Sequence, residues 1–255
     1  MNYYIEFLLD YAKHTLEEWQ CVAGTLHKKE IMKIILTFIL LIPLTLNAAI
    51  LHVALDGSQP YSAIQNAVDA AAEQDTILVH PGTYYENIEI VGRDLTIGSL
   101  ELATEDSTYI AQTVIDGNQS GSCFNIRDNA RVTIKGFYMT NGIGTTSTTW
   151  SNRHGGAIYA SYSDVSIINC RVMYNRAISG AGIYLMDGYG YLAGTTIAYN
   201  RGKHVGGGLS FGGISGIEII LEFDPINRCS IYDNHSGYGR DISITLQHMT
   251  HIDIY

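Results

Sequence analysis

Gly155-Gly156-Ala157-Ile158-Tyr159, Gly180-Ala181-Gly182-Ile183-Tyr184 and Gly206-Gly207-Gly208-Leu209-Ser210 carry one pattern three times. Ile158 to Ile183 is 25 residues and Ile183 to Leu209 is 26. A second pattern alternates with the first: Val172-Met173-Tyr174-Asn175, Ile197-Ala198-Tyr199-Asn200 and Ile231-Tyr232-Asp233-Asn234, each with a small residue (Cys170, Thr195, Cys229) five positions before its Asn. Short strand signals and glycines at this period, without helical periodicity, predict a solenoid.

The composition agrees. The chain has 255 residues, which suits one or two domains, with 16% charged residues, 26 glycines and 4 prolines. That profile fits a β-rich protein with many tight turns and opposes disorder, which needs high charge and low hydrophobicity. The net charge is −10, and Lys135 and Lys203 are the only lysines after residue 49. A nucleic-acid binder would present a basic stripe, so that class is excluded as a partner. Of the four cysteines, Cys123, Cys170 and Cys229 lie after residue 49, an odd set that leaves at least one unpaired. Cys170 and Cys229 share a column two coils apart, roughly 9–10 Å at the usual strand spacing, which is too far for a disulfide.

Residues 32–48 read as a secretory signal peptide: Met32-Lys33, thirteen mostly apolar residues from Ile34 to Leu46, then Asn47-Ala48-Ala49. A membrane span needs about 20 residues, so an uncleaved anchor is the lesser alternative and no span is expected in the mature chain. Residues 1–31 are then an upstream extension from a mis-assigned start, or else a real amphipathic leader. The mature domain is expected over 49–255. It stops in mid-pattern at His251-Ile252-Asp253-Ile254-Tyr255, which suggests truncation, because an unpaired apolar edge invites aggregation.

An N-terminal cap is expected over 50–75. Ile64, Ala67, Val68 and Ala71 fall at helical spacing within 61–74 and make one apolar stripe; such a helix closes the open end of a solenoid. Strands alternating at period two follow, and no ten-residue helical pattern appears after residue 75. That excludes a βαβ sheet, which needs crossover helices. The intervals Asn141 to Asn175 and Asn200 to Asn234 are equal, and both are longer than Asn175 to Asn200. The excess is read as insertions, the polar run 145–152 and the run 218–225, of the kind that gathers on a binding face.

Asp56-Gly57-Ser58, Tyr61-Ser62-Ala63-Ile64-Gln65, Ala67-Val68-Asp69-Ala70-Ala71 and Pro81-Gly82-Thr83-Tyr84-Tyr85-Glu86-Asn87-Ile88 resemble the N-terminal module of pectin-lyase-like β-helix proteins, especially the opening of pectin methylesterases. The Gly-Gly-x-Ile and apolar-x-x-Asn blocks look like repeats of bacterial surface proteins, including chlamydial polymorphic outer-membrane proteins. The likeness covers most of the chain from Val53 onward. It implies an all-β fold, a single-stranded right-handed parallel β-helix of about 25 residues per coil with a short N-terminal capping α-helix. It also implies an inward ladder of Asn141, Asn175, Asn200 and Asn234, whose side chains would cap turns and bond to their copies in adjacent coils.

The enzymes of that family imply particular groups. The esterases use two aspartates in motifs resembling Gln-Asp-Thr-Leu and Val-Asp-Phe-Ile, and neither motif occurs here. Polygalacturonases need clustered aspartates, and no Asp-Asp pair is present. Inverting hydrolysis needs two carboxylates roughly 6.5–9.5 Å apart, and no convincing pair stands out. Pectate-type lyases use Arg or Lys as base, with Ca2+ held by carboxylates; calcium wants several oxygen ligands, and Asp164 and Asp187 look isolated, in different columns. A basic column is easier to see. Arg176, Arg201 and His235 each follow a ladder asparagine, with Lys203 and His204 close by. It is read as a guide for an acidic polysaccharide, with Arg176, Arg201 and Lys203 as candidate bases, against the plainer reading of a solvated turn face.

Tyr159 and Tyr184 are expected to point outward, opposite Ile158 and Ile183, and to offer flat faces to sugar rings; Tyr174 and Tyr199 form a second such pair. The plainer reading is stacking between coils. His154, His204 and His235 lack zinc spacing, so no metal site is expected, and Asn118-Gln119-Ser120 matches a glycosylation sequon.

The sequence therefore points to a secreted or cell-surface scaffold that binds polysaccharide or surface glycan along Tyr159, Tyr184, Arg176, Arg201 and His204, with 143–154 as one wall and no cofactor. The alternatives are a pectate-type lyase, which would add Ca2+, and a structural passenger of a larger surface protein.

Overall fold

The computed structural model describes residues 48–146, 152–213 and 220–246. The chain divides into two compact units, Met1–Asn47 and Ala48–Tyr255, and all described residues belong to the second. The expected upstream extension, all but the last residue of the expected signal peptide, the middle of the 143–154 insert and the C-terminal stop lie outside the described residues.

One coil shows how the chain winds. Asp164–Ile168 lies in sheet A, Arg171–Met173 in sheet B, Arg176–Ser179 in sheet D and Ile183–Met186 in sheet C; Tyr189–Ala193 then returns to sheet A beside the starting strand. Sheet A has seven strands and sheets B and C six each, and every pairing within them is parallel. This is a parallel β-helix, and parallel crossovers take the right hand in about 98% of cases.

Alternation within each strand decides what faces inward. Asp164–Ile168 has Val165 and Ile167 fully buried, with partly exposed residues between. In-register pairing stacks these inward residues into columns. Sheet A stacks Ile77, Ile97, Ile134, Ile167 and Leu192; sheet C stacks Ile88, Phe124, Ile158, Ile183 and Leu209; sheet B stacks Tyr84, Ile115, Met139, Val172 and Ile197. Nearly all are fully buried, and each such side chain contributes roughly 1.5–3 kcal/mol of transfer free energy.

The Gly-Gly-x-Ile blocks hold the corners between sheets D and C. Gly155 takes φ +62, and a Cβ on Gly156 would collide with the Ala181 carbonyl oxygen. The first glycine makes the turn and the second lets adjacent coils approach.

The capping helix spans Ile64–Ala70, shorter than its apolar stripe, with Ile64, Ala67 and Val68 buried. Its first turn is capped from a distance: both Glu86 carboxylate oxygens accept at 2.9 Å, from the N–H groups of Ile64 and Gln65. Two short helices, Glu101–Thr104 and Thr108–Gln112, sit between sheets A and B; at four and five residues they are too brief to leave a periodic signal.

One expectation needs correction. The run 218–225 is not an insertion, because Ile220–Phe223 is the sheet A strand of its coil; the extra length flanks it. Sheet D was not foreseen. It comprises Arg153–His154, Arg176–Ser179 and Arg201–Val205, with Thr145–Thr146 antiparallel at one edge and isolated bridges to His235 and Tyr238 at the other.

Candidate functional site

Each turn from sheet B into sheet D is built by two residues. The first is left-handed: Tyr174 at φ +61, Tyr199 at +58 and Asp233 at +52. The second is the buried asparagine. A bulky side chain rarely adopts positive φ, so the turn must be held by the residue after it. Asn200 does this with every polar group it has. Its Oδ1 accepts from the Asn175 N–H and Nδ2, both at 3.0 Å, and its own Nδ2 donates to the Val172 carbonyl (2.8 Å) and Asn234 Oδ1 (2.9 Å). Asn175 repeats the pattern toward Gly142 N–H at 2.9 Å, and the run ends where Asn234 donates to Asp241 Oδ1 at 2.9 Å.

Asn141 is outside this ladder. It is exposed, takes φ +57 and donates to Asp116 Oδ2 at 2.8 Å. Met139 pairs with Val172, so Asn141 aligns with Tyr174, and Gly142 occupies the ladder position. A register one residue early moves a side chain from the inside to the outside.

The ladder fixes the strand after it. Arg176 stands directly opposite Arg201 in sheet D, and Arg201 opposite His235, one strand spacing of about 4.8 Å each. These residues line a groove of about 670 Å³ with Lys203, and the expected wall contributes Ile143, Asn152 and Arg153. Ala177 and Gly202, also in register, are with Gly237 the small residues among its lining. The strands on either side of the floor differ by one residue, since Arg176 pairs with Arg201 but Ser179 with Val205. Lys203 shares the side of Arg201 by plain alternation and lines the groove; the bulge breaks the alternation only at His204, which is exposed but is not among the lining residues.

Among the described residues, Arg176, Arg201, Lys203 and His235 have no acidic partner. The ion pairs lie elsewhere, at Arg127 with Glu89 and Asp128, Arg131 with Asp94 and Asp164, and Lys135 with Glu101. Like charges opposed across strands are destabilising, a cost that a bound anion would relieve.

The aromatic surface is not where alternation alone put it. Tyr159 and Tyr184 do stack, with centroids 6.0 Å apart and planes within 6°. Tyr159 is only 5% exposed, however, and the buried His154 ring lies 4.6 Å from Tyr184; burial pushes the Tyr184 phenol up to about 12. Tyr159 is therefore covered, and Tyr184 is half-buried with one side taken by His154. Tyr174 and Tyr199 are the exposed pair: they stack at 5.4 Å and 8°, are 54% and 43% exposed, and precede Arg176 and Arg201 by two residues, with Tyr232 edge-on to Tyr199 at 5.9 Å.

Asp164 and Asp187 come together after all, lining one depression of about 340 Å³ with Tyr162 and Tyr189. Asp164 is paired with Arg131 and Asp187 is buried; among the described residues no group of three or more His, Cys, Asp or Glu is arranged to hold a metal ion. Gln74-Asp75-Thr76-Ile77 differs from the first esterase motif only at its last residue, and Asp75 is structural: its carboxylate accepts from the N–H groups of Ala49 and Ala72 at 2.7 and 2.8 Å. The three cysteines among the described residues, Cys123, Cys170 and Cys229, are free. Burial pushes the Cys123 and Cys170 thiols up to about 12, leaving them poor nucleophiles.

No helix among the described residues is long and apolar enough to cross a membrane. No family model matches the chain, and no curated protein matches it. Among solved structures the chain is similar to YbhC of Escherichia coli, at 12% identity over 77% of this chain and 68% of that one, with a TM-score of 0.39. It is also similar to the pectin methylesterase of Aspergillus niger, at 15% identity over 80% and 90%, with a TM-score of 0.30. What establishes the parallel β-helix is the chain's own strand pairing.

Proposed function

We propose that this protein is a secreted or cell-surface scaffold that binds an acidic polysaccharide along the sheet D groove. The observation that carries this reading is the in-register row Arg176, Arg201 and His235, joined by Lys203, with no acidic partner among the described residues. On a protein of net charge −10, such a row selects against neutral ligands. Tyr174 and Tyr199 supply an apolar face of the kind on which sugar rings pack. The polymer lies along the solenoid axis, one anionic group per coil at about 4.8 Å.

The test is calorimetry on the full chain with matched acidic and neutral oligosaccharides. Binding of the acidic series alone, weakened at least tenfold in Arg176→Ala/Arg201→Ala, is the expected result. Equal affinity for both series, or an unaffected double variant, overturns it. The same mixtures are followed by ultraviolet absorbance in the presence of calcium. A rise that depends on protein reports a new C=C bond and moves the reading to a lyase.

A further inference from the structure

His52 and His80 are distant in sequence and meet through the first strand pair of sheet A. Ile50–Val53 runs parallel to Thr76–Val79 with Val53 opposite Val79, and the His80 N–H donates to the Val53 carbonyl at 2.9 Å. His52 Nδ1 and His80 Nε2 come to 3.2 Å, with the rings tilted by 54°. Both residues are partly exposed. Asp56 follows on the exposed turn Asp56-Gly57-Ser58, where its Oδ1 accepts from the Ser58 N–H at 2.9 Å.

Two nitrogens bound tetrahedrally at 2.0–2.1 Å to a zinc-like ion stand about 3.4 Å apart, and at a right angle about 2.9 Å. The observed separation falls between these values. Without an ion the two imidazoles share one proton, one donating and the other accepting; the His80 imidazole is accordingly held below its ordinary range, by burial and then by His52.

We propose that His52 Nδ1 and His80 Nε2 bind a divalent transition-metal ion at the N-terminal end of the solenoid, with the Asp56 carboxylate drawn in as a third ligand. Imidazole with a carboxylate suits zinc, copper and nickel, and copper binds most tightly of the three. The two imidazoles are the preset part of the site. Asp56 completes it by movement of its turn, where Gly57 at φ +75 has nothing within 4 Å of its Cβ position. The ion ties the first strand to the second and so stiffens the end of the solenoid that the helix caps. The site is independent of the sheet D groove.

The test uses the full chain. Zn2+ calorimetry should give one ion per chain, and His52→Gln and His80→Gln, which keep bulk, should each weaken it at least tenfold while Asp56→Asn weakens it less. Zn2+ should raise the melting temperature of the wild type and not of His80→Gln. The Cu2+ complex of the unaltered protein should show electron-paramagnetic coupling to two nitrogens, a readout that does not depend on the variants folding. Absence of Zn2+ binding at 0.1 mM, an oxygen-only copper spectrum, or full affinity in both glutamine variants overturns the proposal.

Discussion

Asn200 is the residue on which the site's geometry turns, because its amide uses both oxygen and nitrogen across three coils. Asn200→Asp keeps the size and the accepting oxygens but loses the donor, and sets two oxygens against each other at Asn234. Leaving buried polar groups unpaired costs about 1–3 kcal/mol each. Chemical denaturation of Asn200→Asp should therefore show a loss of at least that amount, whereas Asn141→Gly, which tolerates the positive φ of that exposed turn and adds no charge beside Asp116, should stay within about 0.5 kcal/mol. Equal losses in the two would refute the register. The three true ladder asparagines were legible because each ends an apolar-x-x-Asn block. Asn141 was misplaced because glycine stands at the ladder position of its coil, so nothing in the spelling marks the inward site.

At the scale of elements, the hairpin of Thr145–Thr146 and Arg153–His154 forms one edge of sheet D and carries the groove wall. His154 is buried against Tyr184, and neither ring nitrogen has a hydrogen-bond partner among the described residues. Burial holds its imidazole below the ordinary value of 6.5. The folded state therefore binds fewer protons than the unfolded one below that pH, and stability falls as pH drops. The neutral ring's contribution is fully present above pH 6.5 and is lost toward the lower folded value. Melting temperature should drop between about pH 7.5 and 5, and His154→Phe, which keeps a ring against Tyr184, should remove part of that drop. An unchanged pH profile in the variant would count against it. The same element shows where alternation misled: Tyr159 points out of sheet C as expected, but burial there is decided by what packs over sheet C, which no local pattern reports.

For the molecule as a whole, a net charge of −10 and a cationic groove coexist. Surface attraction to an acidic polymer is screened over about 8–10 Å at physiological salt. Affinity for the acidic oligosaccharides should fall severalfold between about 0.05 and 0.3 M NaCl, and calorimetry at the two salts would show it. A salt-independent affinity would point to stacking on Tyr174 and Tyr199 instead. The inward columns carry stability in a different way. Ile183→Ala removes one member of a fully buried stack and should cost about 2–5 kcal/mol, measurable as a lower denaturation midpoint.

The sequence by itself determined the winding. A coil of near-constant length, strands alternating at period two, paired glycines at one corner and asparagines at another are short-range requirements, each met by residues close together in the chain. It also determined that Arg176, Arg201 and Lys203 belong together, because the repeat carries equivalent positions into register. Only the tertiary structure decided that a bulge exposes His204 yet leaves it out of the groove, that Tyr159 is covered, and that His52 meets His80. Those outcomes depend on how particular side chains pack between neighbouring coils, and the repeat sets which coils adjoin but not what each side chain meets there.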